Sequence, residues 1–175
     1  MKSLKSIPAL GAFFVAAALA LAGCGGGIPG NSVAVVAGNP ITTQAFNHWM
    51  YVAAKGQASQ SPGQPVIVPN DPPNFDKCVT QVRADIPSLK KTATKTIKAE
   101  CGQLFTSLSS QVMDFLIKAY WYQADAHKLG IKVTNAQINQ ALVAAKKSQF
   151  QTDAQYQTFL KSSGQTAQDI LFRVR

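Results

Sequence analysis

The chain has 175 residues, with 17 Lys and Arg against 8 Asp and Glu, a formal net charge of +9. A basic balance of that size suits contact with anionic lipid or with acidic polypeptide segments. No nucleic-acid partner is expected, because the sequence holds no nucleic-acid-binding motif.

Lys2 and Lys5 precede an apolar run from Ile7 to Ala22 that ends in small residues, so residues 1–23 read as an export signal. The run is about 16 residues and holds Pro8 and Gly11, against the roughly 20 apolar residues of a spanning helix, so a transmembrane anchor is the weaker reading. Leu21-Ala22-Gly23-Cys24 resembles the bacterial lipobox, which implies a diacylglyceryl group on Cys24 and cleavage just before it. The alternative is an ordinary secretory signal with a chance cysteine. Gly25-Gly26-Gly27 and Gly30 make residues 24–31 a flexible tether. The 152 residues beyond the signal keep 15 Lys and Arg against 8 acids, enough chain for one domain with a real core or two small ones.

Ser32 to Ala37, mostly valine and small residues, predicts a short strand, broken by a turn at Gly38-Asn39-Pro40, after which Ile41 could add a second extended residue. Thr42 or Thr43 is placed to cap a helix whose Phe46, Trp49, Met50 and Ala53 fall on one face, with Gly56 ending it. Five prolines between residues 56 and 74 predict a long loop. A short helix over 75–85, capped by Asn74, and a break at Pro87 complete an insertion over about 56–95. The strongest periodicity runs from about Thr96 to Leu129. There Ile97, Cys101, Leu104, Leu108, Val112, Phe115 and Ala119 recur every three or four residues, Gly102 marks a bend or the true start, and Gly130 is the terminator. Three capping-box patterns follow, Thr134 with Gln137, Thr152 with Gln155 and Thr166 with Asp169, predicting helices at about 135–148, 153–162 and from 167 onward. Ile138, Leu142, Phe150, Tyr156, Phe159, Leu160, Ile170, Leu171 and Val174 are expected to pack on the long helix. The chain stops at Arg175 in mid-pattern, as a truncated sequence would.

The expected fold class is therefore mainly α: one long helix packed with several short ones, a short N-terminal β-strand and a Pro-rich insertion loop. With Cys24 acylated, Cys78 and Cys101 remain, and in an oxidising compartment they are expected to pair. A free thiol pair or a nucleophilic cysteine are the alternatives, the latter without a Cys-x-x-Cys to support it.

Val33-Ala34-Val35-Val36-Ala37-Gly38-Asn39-Pro40-Ile41-Thr42 resembles the opening of the SurA-like and PrsA-like foldases, V-A-x-V-N-G-x-P-I-T, with Ala37 in place of the usual Asn. Leu116 to Thr134, followed by Ile138, Phe150, Tyr156, Phe159-Leu160 and Leu171 to Arg175, resembles the same family, so the likeness covers about 32–56 and 100–175. The resemblance implies a helical chaperone domain over 32–175, C-terminally incomplete, that holds unfolded or nascent secreted polypeptides at the periplasmic face or cell surface. It also implies that a parvulin-type prolyl isomerase domain would lie beyond residue 175, making this chain the N-terminal part of an isomerase. A structural lipoprotein without clients is a third reading, and it predicts no exposed apolar groove.

Trp49, Met50, Trp121, Tyr122 and Phe159 are the candidate peptide-binding residues, since aromatic and Met side chains adapt to varied partners. Simple core packing competes for each of them. Trp121 falls off the main stripe and is expected to be exposed. The absence of a strand that pairs with residues 32–37 would leave an edge prone to dimerise. His48 and His127 lack nearby ligands in sequence and read as surface or interface residues. Asp114, Asp125 and Glu100 read as solvated charges. No catalytic set, metal cluster or cofactor loop is expected.

Overall fold

The computed structural model describes residues 27–61 and 63–174. The export signal and Cys24 lie outside them. Two strands, β1 (Ser32–Val36) and β2 (Asn39–Thr42), pair antiparallel, with Val36 opposite Asn39 and Ala34 opposite Ile41. Ala37 and Gly38 make the turn at φ 49° and 82°, the left-handed pair that a two-residue hairpin requires. This corrects the single strand without a partner. Only Ala37 and Gly38 make the turn, so Asn39 and Pro40 join Ile41 in β2, an edge strand, where a proline's missing N–H is tolerated.

Helix α1 (Thr43–Ser59) starts where the Thr42 hydroxyl accepts the Ala45 N–H at 3.1 Å. It continues through Gly56, because an interior glycine costs a helix only about 1 kcal/mol. Helix α2 (Asp76–Asp85) is not capped by Asn74. Asp71 does that work from five residues upstream: its carboxylate accepts the N–H groups of Lys77 at 2.6 Å and Cys78 at 3.3 Å. After a 3-10 turn at Pro87–Leu89, helix α3 (Thr94–Lys128) runs through Gly102. That glycine is neither a start nor a break; a Cβ there would stand 3.5 Å from the Phe75 ring. At the far end Gly130 (φ 71°) closes α3, with the Ile131 N–H donating to the Ala126 carbonyl at 2.9 Å and the Gly130 N–H to that of His127 at 3.1 Å.

Helices α4 (Asn135–Gln149) and α5 (Asp153–Ser163) each begin with the predicted reciprocal cap, Thr134 with Gln137 and Thr152 with Gln155. Helix α6 (Ala167–Val174) begins with Thr166 and Asp169 in the same relation.

Helix α3 spans about 50 Å at 1.5 Å per residue, long enough to serve two cores. Its middle and C-terminal half packs Leu108, Val112 and Leu116 against Phe46, Trp49 and Met50 of α1 and against Val36 and Ile41 of the hairpin. Its N-terminal turns pack Ile97 and Cys101 against Cys78, Val79 and Val82 of α2, with Ile67, Phe75, Ile86 and Leu89 around them. Cys78 and Cys101 are joined by a disulfide inside this second core. The insertion is thus a small packed unit, its loop held by Gln81, whose side chain donates to the Val66 carbonyl at 2.7 Å and accepts the Val68 N–H at 3.3 Å.

The last three helices do not simply line the long one. Helix α5 lies on α1, where Gly164 meets Tyr51 and the Lys55 ammonium donates to the Lys161 carbonyl at 2.9 Å; α6 lies on α4. Phe172 of α6 reaches α3, its ring 5.9 Å from Phe115 and 6.1 Å from Tyr120.

Candidate functional site

Because α4 packs on α6 and α6 touches both α1 and α3, a cleft is left open between the N-terminal turns of α1, the C-terminal half of α3, α4 and α6. Its volume is about 680 Å³, within the usual size of ligand-binding clefts. Leu116 and Tyr120 of α3, Trp49 of α1, Ile138 of α4, and Leu171 and Phe172 of α6 form its apolar walls. Side-chain amides stand among them: Gln44, Gln123, Asn135, Asn139 and Gln168. Each amide has both a donor and an acceptor, the two functions that an extended peptide backbone presents.

One polar pair crosses the cleft. His48 Nε2 lies 2.9 Å from Asp169 Oδ2, and an ionised carboxylate only accepts, so the ring proton sits on Nε2 and points at the acid. The same oxygen accepts the Thr166 N–H at 2.6 Å and the Thr166 hydroxyl at 2.8 Å. Asp169 is 8% exposed. Burial alone raises its pKa, but the hydrogen bonds from Thr166 and His48 outweigh that, and the carboxyl is held below its ordinary value. One turn on, the Arg173 guanidinium lies 5.1 Å from the Trp49 ring and 5.3 Å from the Phe115 ring, a stacking that suits its weak hydration. Burial pushes its pKa down and Asp169 opposes the fall.

The predicted site residues are dispersed. Trp49 is largely buried, with one edge on the cleft. Met50 is 0% exposed and belongs to the core. Phe159 is half-buried beside Phe150, ring centroids 5.3 Å apart, in a satellite cluster with Tyr156. Trp121 and Tyr122 are exposed, as the stripe predicted for Trp121, and do not line the cleft. His48 is not a free surface histidine; it is half-buried and paired. Asp114 and Asp125 are solvated and pair with Lys118 and Lys128 at 2.8 and 3.3 Å.

Sequence reasoning missed Tyr120, Leu171 and Phe172 as walls, the amides, and the His48–Asp169 pair. The one available signal was Asp at the third position of a capping box that is usually filled by Glu or Gln. Among the described residues no group of three His, Cys, Asp or Glu could hold a metal, and no helix is long and apolar enough to cross a membrane. No family model matches the chain, and no curated protein or solved structure matches it.

Proposed function

We propose that this chain is a lipid-anchored, extracytoplasmic chaperone domain of the SurA-like kind, which holds extended apolar segments of unfolded secreted polypeptides in the cleft between α1, α3, α4 and α6. The observation that carries the reading is the chemistry of that cleft. Apolar walls take side chains of many shapes, and the amides of Gln44, Gln123, Asn139 and Gln168 among them can pair with any peptide backbone, whatever its sequence. Such a surface binds broadly and weakly, as a holding chaperone must if it is to release its client without nucleotide. The lipobox at Cys24 and the family-like helical pattern are consistent with it.

The test is aggregation of an unfolded polypeptide diluted from denaturant, followed by light scattering with the Gly25–Arg175 chain present. That chain carries every residue of both cores. Slower scattering at stoichiometric chain, reversed by Leu171→Glu in the cleft wall, is expected. Scattering that is unchanged by the chain refutes the reading.

A further inference from the structure

The cleft does not account for the most exposed apolar surface of the domain. Trp121 and Tyr122 are 59% and 72% exposed, and Leu129, Ile131 and Val133 follow at 75%, 55% and 45%. Lys118, Trp121, Tyr122, Asp125 and Lys128 recur at i, i+3, i+4, i+7 and i+10, so they share one face of α3. The core stripe of Leu108, Val112 and Leu116 takes another. The Gly130 turn then throws Leu129 and Ile131 out at the tip of the helix, and Lys132 follows between Ile131 and Val133.

This is a convex ridge, a helix end and a turn, and it lacks the concavity that holds a peptide. Its composition is that of a membrane interface: two amphipathic aromatics, aliphatic side chains at the tip, and lysines whose long stems let the ammonium reach headgroups while the tip sits deeper. Lys118 and Lys128 do pair with Asp114 and Asp125, but those bridges are exposed and hold the lysines only weakly. Lys132 has no ion pair among the described residues, and the chain as a whole is strongly basic, which favours an anionic bilayer.

Reach agrees with this. Pro29 and Asn31 are tied into the fold, the Ser32 N–H donating to the Pro29 carbonyl at 2.8 Å and the Thr43 N–H to the Asn31 carbonyl at 2.7 Å, so the stretch from residue 24 to 28 extends at most about 17 Å. Val33 of β1 and Met113 of α3 line the same groove, so the tether enters at the level of Met113. From there Trp121 is about 12 Å along α3, within that length, and Leu129 lies about 12 Å further along the helix. We infer that the ridge of Trp121, Tyr122, Leu129, Ile131 and Val133 docks on the anionic surface of the membrane, and so fixes how the domain sits on the bilayer. The inference goes beyond the cleft reading and does not require a client.

Trp121 is its own reporter, because Trp49 is buried and has little solvent to lose. Tryptophan emission of the unlipidated Gly25–Arg175 chain is recorded with vesicles of phosphatidylethanolamine mixed with phosphatidylglycerol. A blue shift is expected that Trp121→Phe abolishes, that vesicles of phosphatidylcholine alone evoke less, and that the double variant Leu129→Asp, Ile131→Asp weakens about tenfold in vesicle affinity. Both of those side chains are exposed, so the double variant should keep its fold and its circular dichroism. No shift with anionic vesicles overturns the proposal. So does a shift that the double variant leaves intact, or one that appears only with unfolded polypeptide or with rising protein concentration. The last two would make the ridge a client or self-association surface.

Discussion

Replacing both Cys78 and Cys101 by alanine should loosen the insertion while leaving the cleft in place. The bridge closes a loop of 23 residues, and losing it returns unfolded-chain entropy worth about 3 kcal/mol. The core around it is small: Val79, Val82 and Ile97 are its only buried aliphatic side chains among the described residues, each worth about 1.5–3 kcal/mol. The lost constraint is therefore comparable with a whole core residue, in a unit with few of them. The first core meets this unit through α3, through Val66 and Val68 of the insertion loop, and through the Phe75–Phe105 ring contact, none of which depends on the bridge. Hydrogen exchange followed by mass spectrometry separates the two. Amides of Asp76–Asp85 and of the first turns of α3 should exchange at least tenfold faster in the double variant, whereas those of α1 and of Leu108 to Leu116 keep their protection. The same outcome is expected for the native chain under reductant. Equal loss of protection in α1 and α2 would refute the division into two cores, and unchanged protection of α2 would refute the weight given to the bridge.

Ala37 sits at φ 49° in the hairpin turn, where an L-residue with a Cβ pays a steric penalty that Gly avoids and Asn tolerates; Ala37→Gly or Ala37→Asn should raise stability by about 0.5–1 kcal/mol in urea denaturation. Gly164→Ala should destabilise by about 2 kcal/mol or more in the same assay, since φ is +69° and the new Cβ would stand 2.7 Å from the Tyr51 ring and 2.8 Å from the Lys55 stem. Asp169 has a depressed carboxyl in the folded chain, so the stability it adds is present above its unfolded pKa of about 3.9 and is lost as pH falls through the lower folded value. Denaturation between pH 6 and pH 2 should therefore show a shallower acid loss in Asp169→Asn than in the native chain, and parallel curves would contradict the role given to that carboxylate.

The features legible in the sequence were the local ones. Thr134-x-x-Gln137 and Thr152-x-x-Gln155 start helices because both halves of the cap lie within one turn, and the long apolar stripe marks α3 because its periodicity repeats for nine turns. Cys78 and Cys101 were legible by elimination. What failed was whatever depends on a distant partner or on competition between nearby ones. Asp71 displaced Asn74 as the cap of α2 because the loop 66–75 folds back over the helix start, which periodicity cannot show. β2 is masked by the Gly38-Asn39-Pro40 turn signal, of which only Gly38 lies in the turn itself. The cleft is the largest omission: His48 and Asp169 are 121 residues apart, and the walls come from four helices whose mutual packing no single stretch encodes. Each of Tyr120, Leu171 and Phe172 reads in sequence as one more core residue.

The central claim is that the cleft holds unfolded polypeptide, and equilibrium binding tests it most directly. A reduced, alkylated and fluorescently labelled polypeptide that cannot fold is titrated with the Gly25–Arg175 chain and followed by anisotropy, beside Leu171→Glu in the cleft and Trp121→Ala on the ridge. The account predicts saturable binding that Leu171→Glu weakens about tenfold or more, for a charge placed in an apolar wall, and that Trp121→Ala leaves nearly unchanged. Binding lost with Trp121→Ala and indifferent to Leu171→Glu would contradict it.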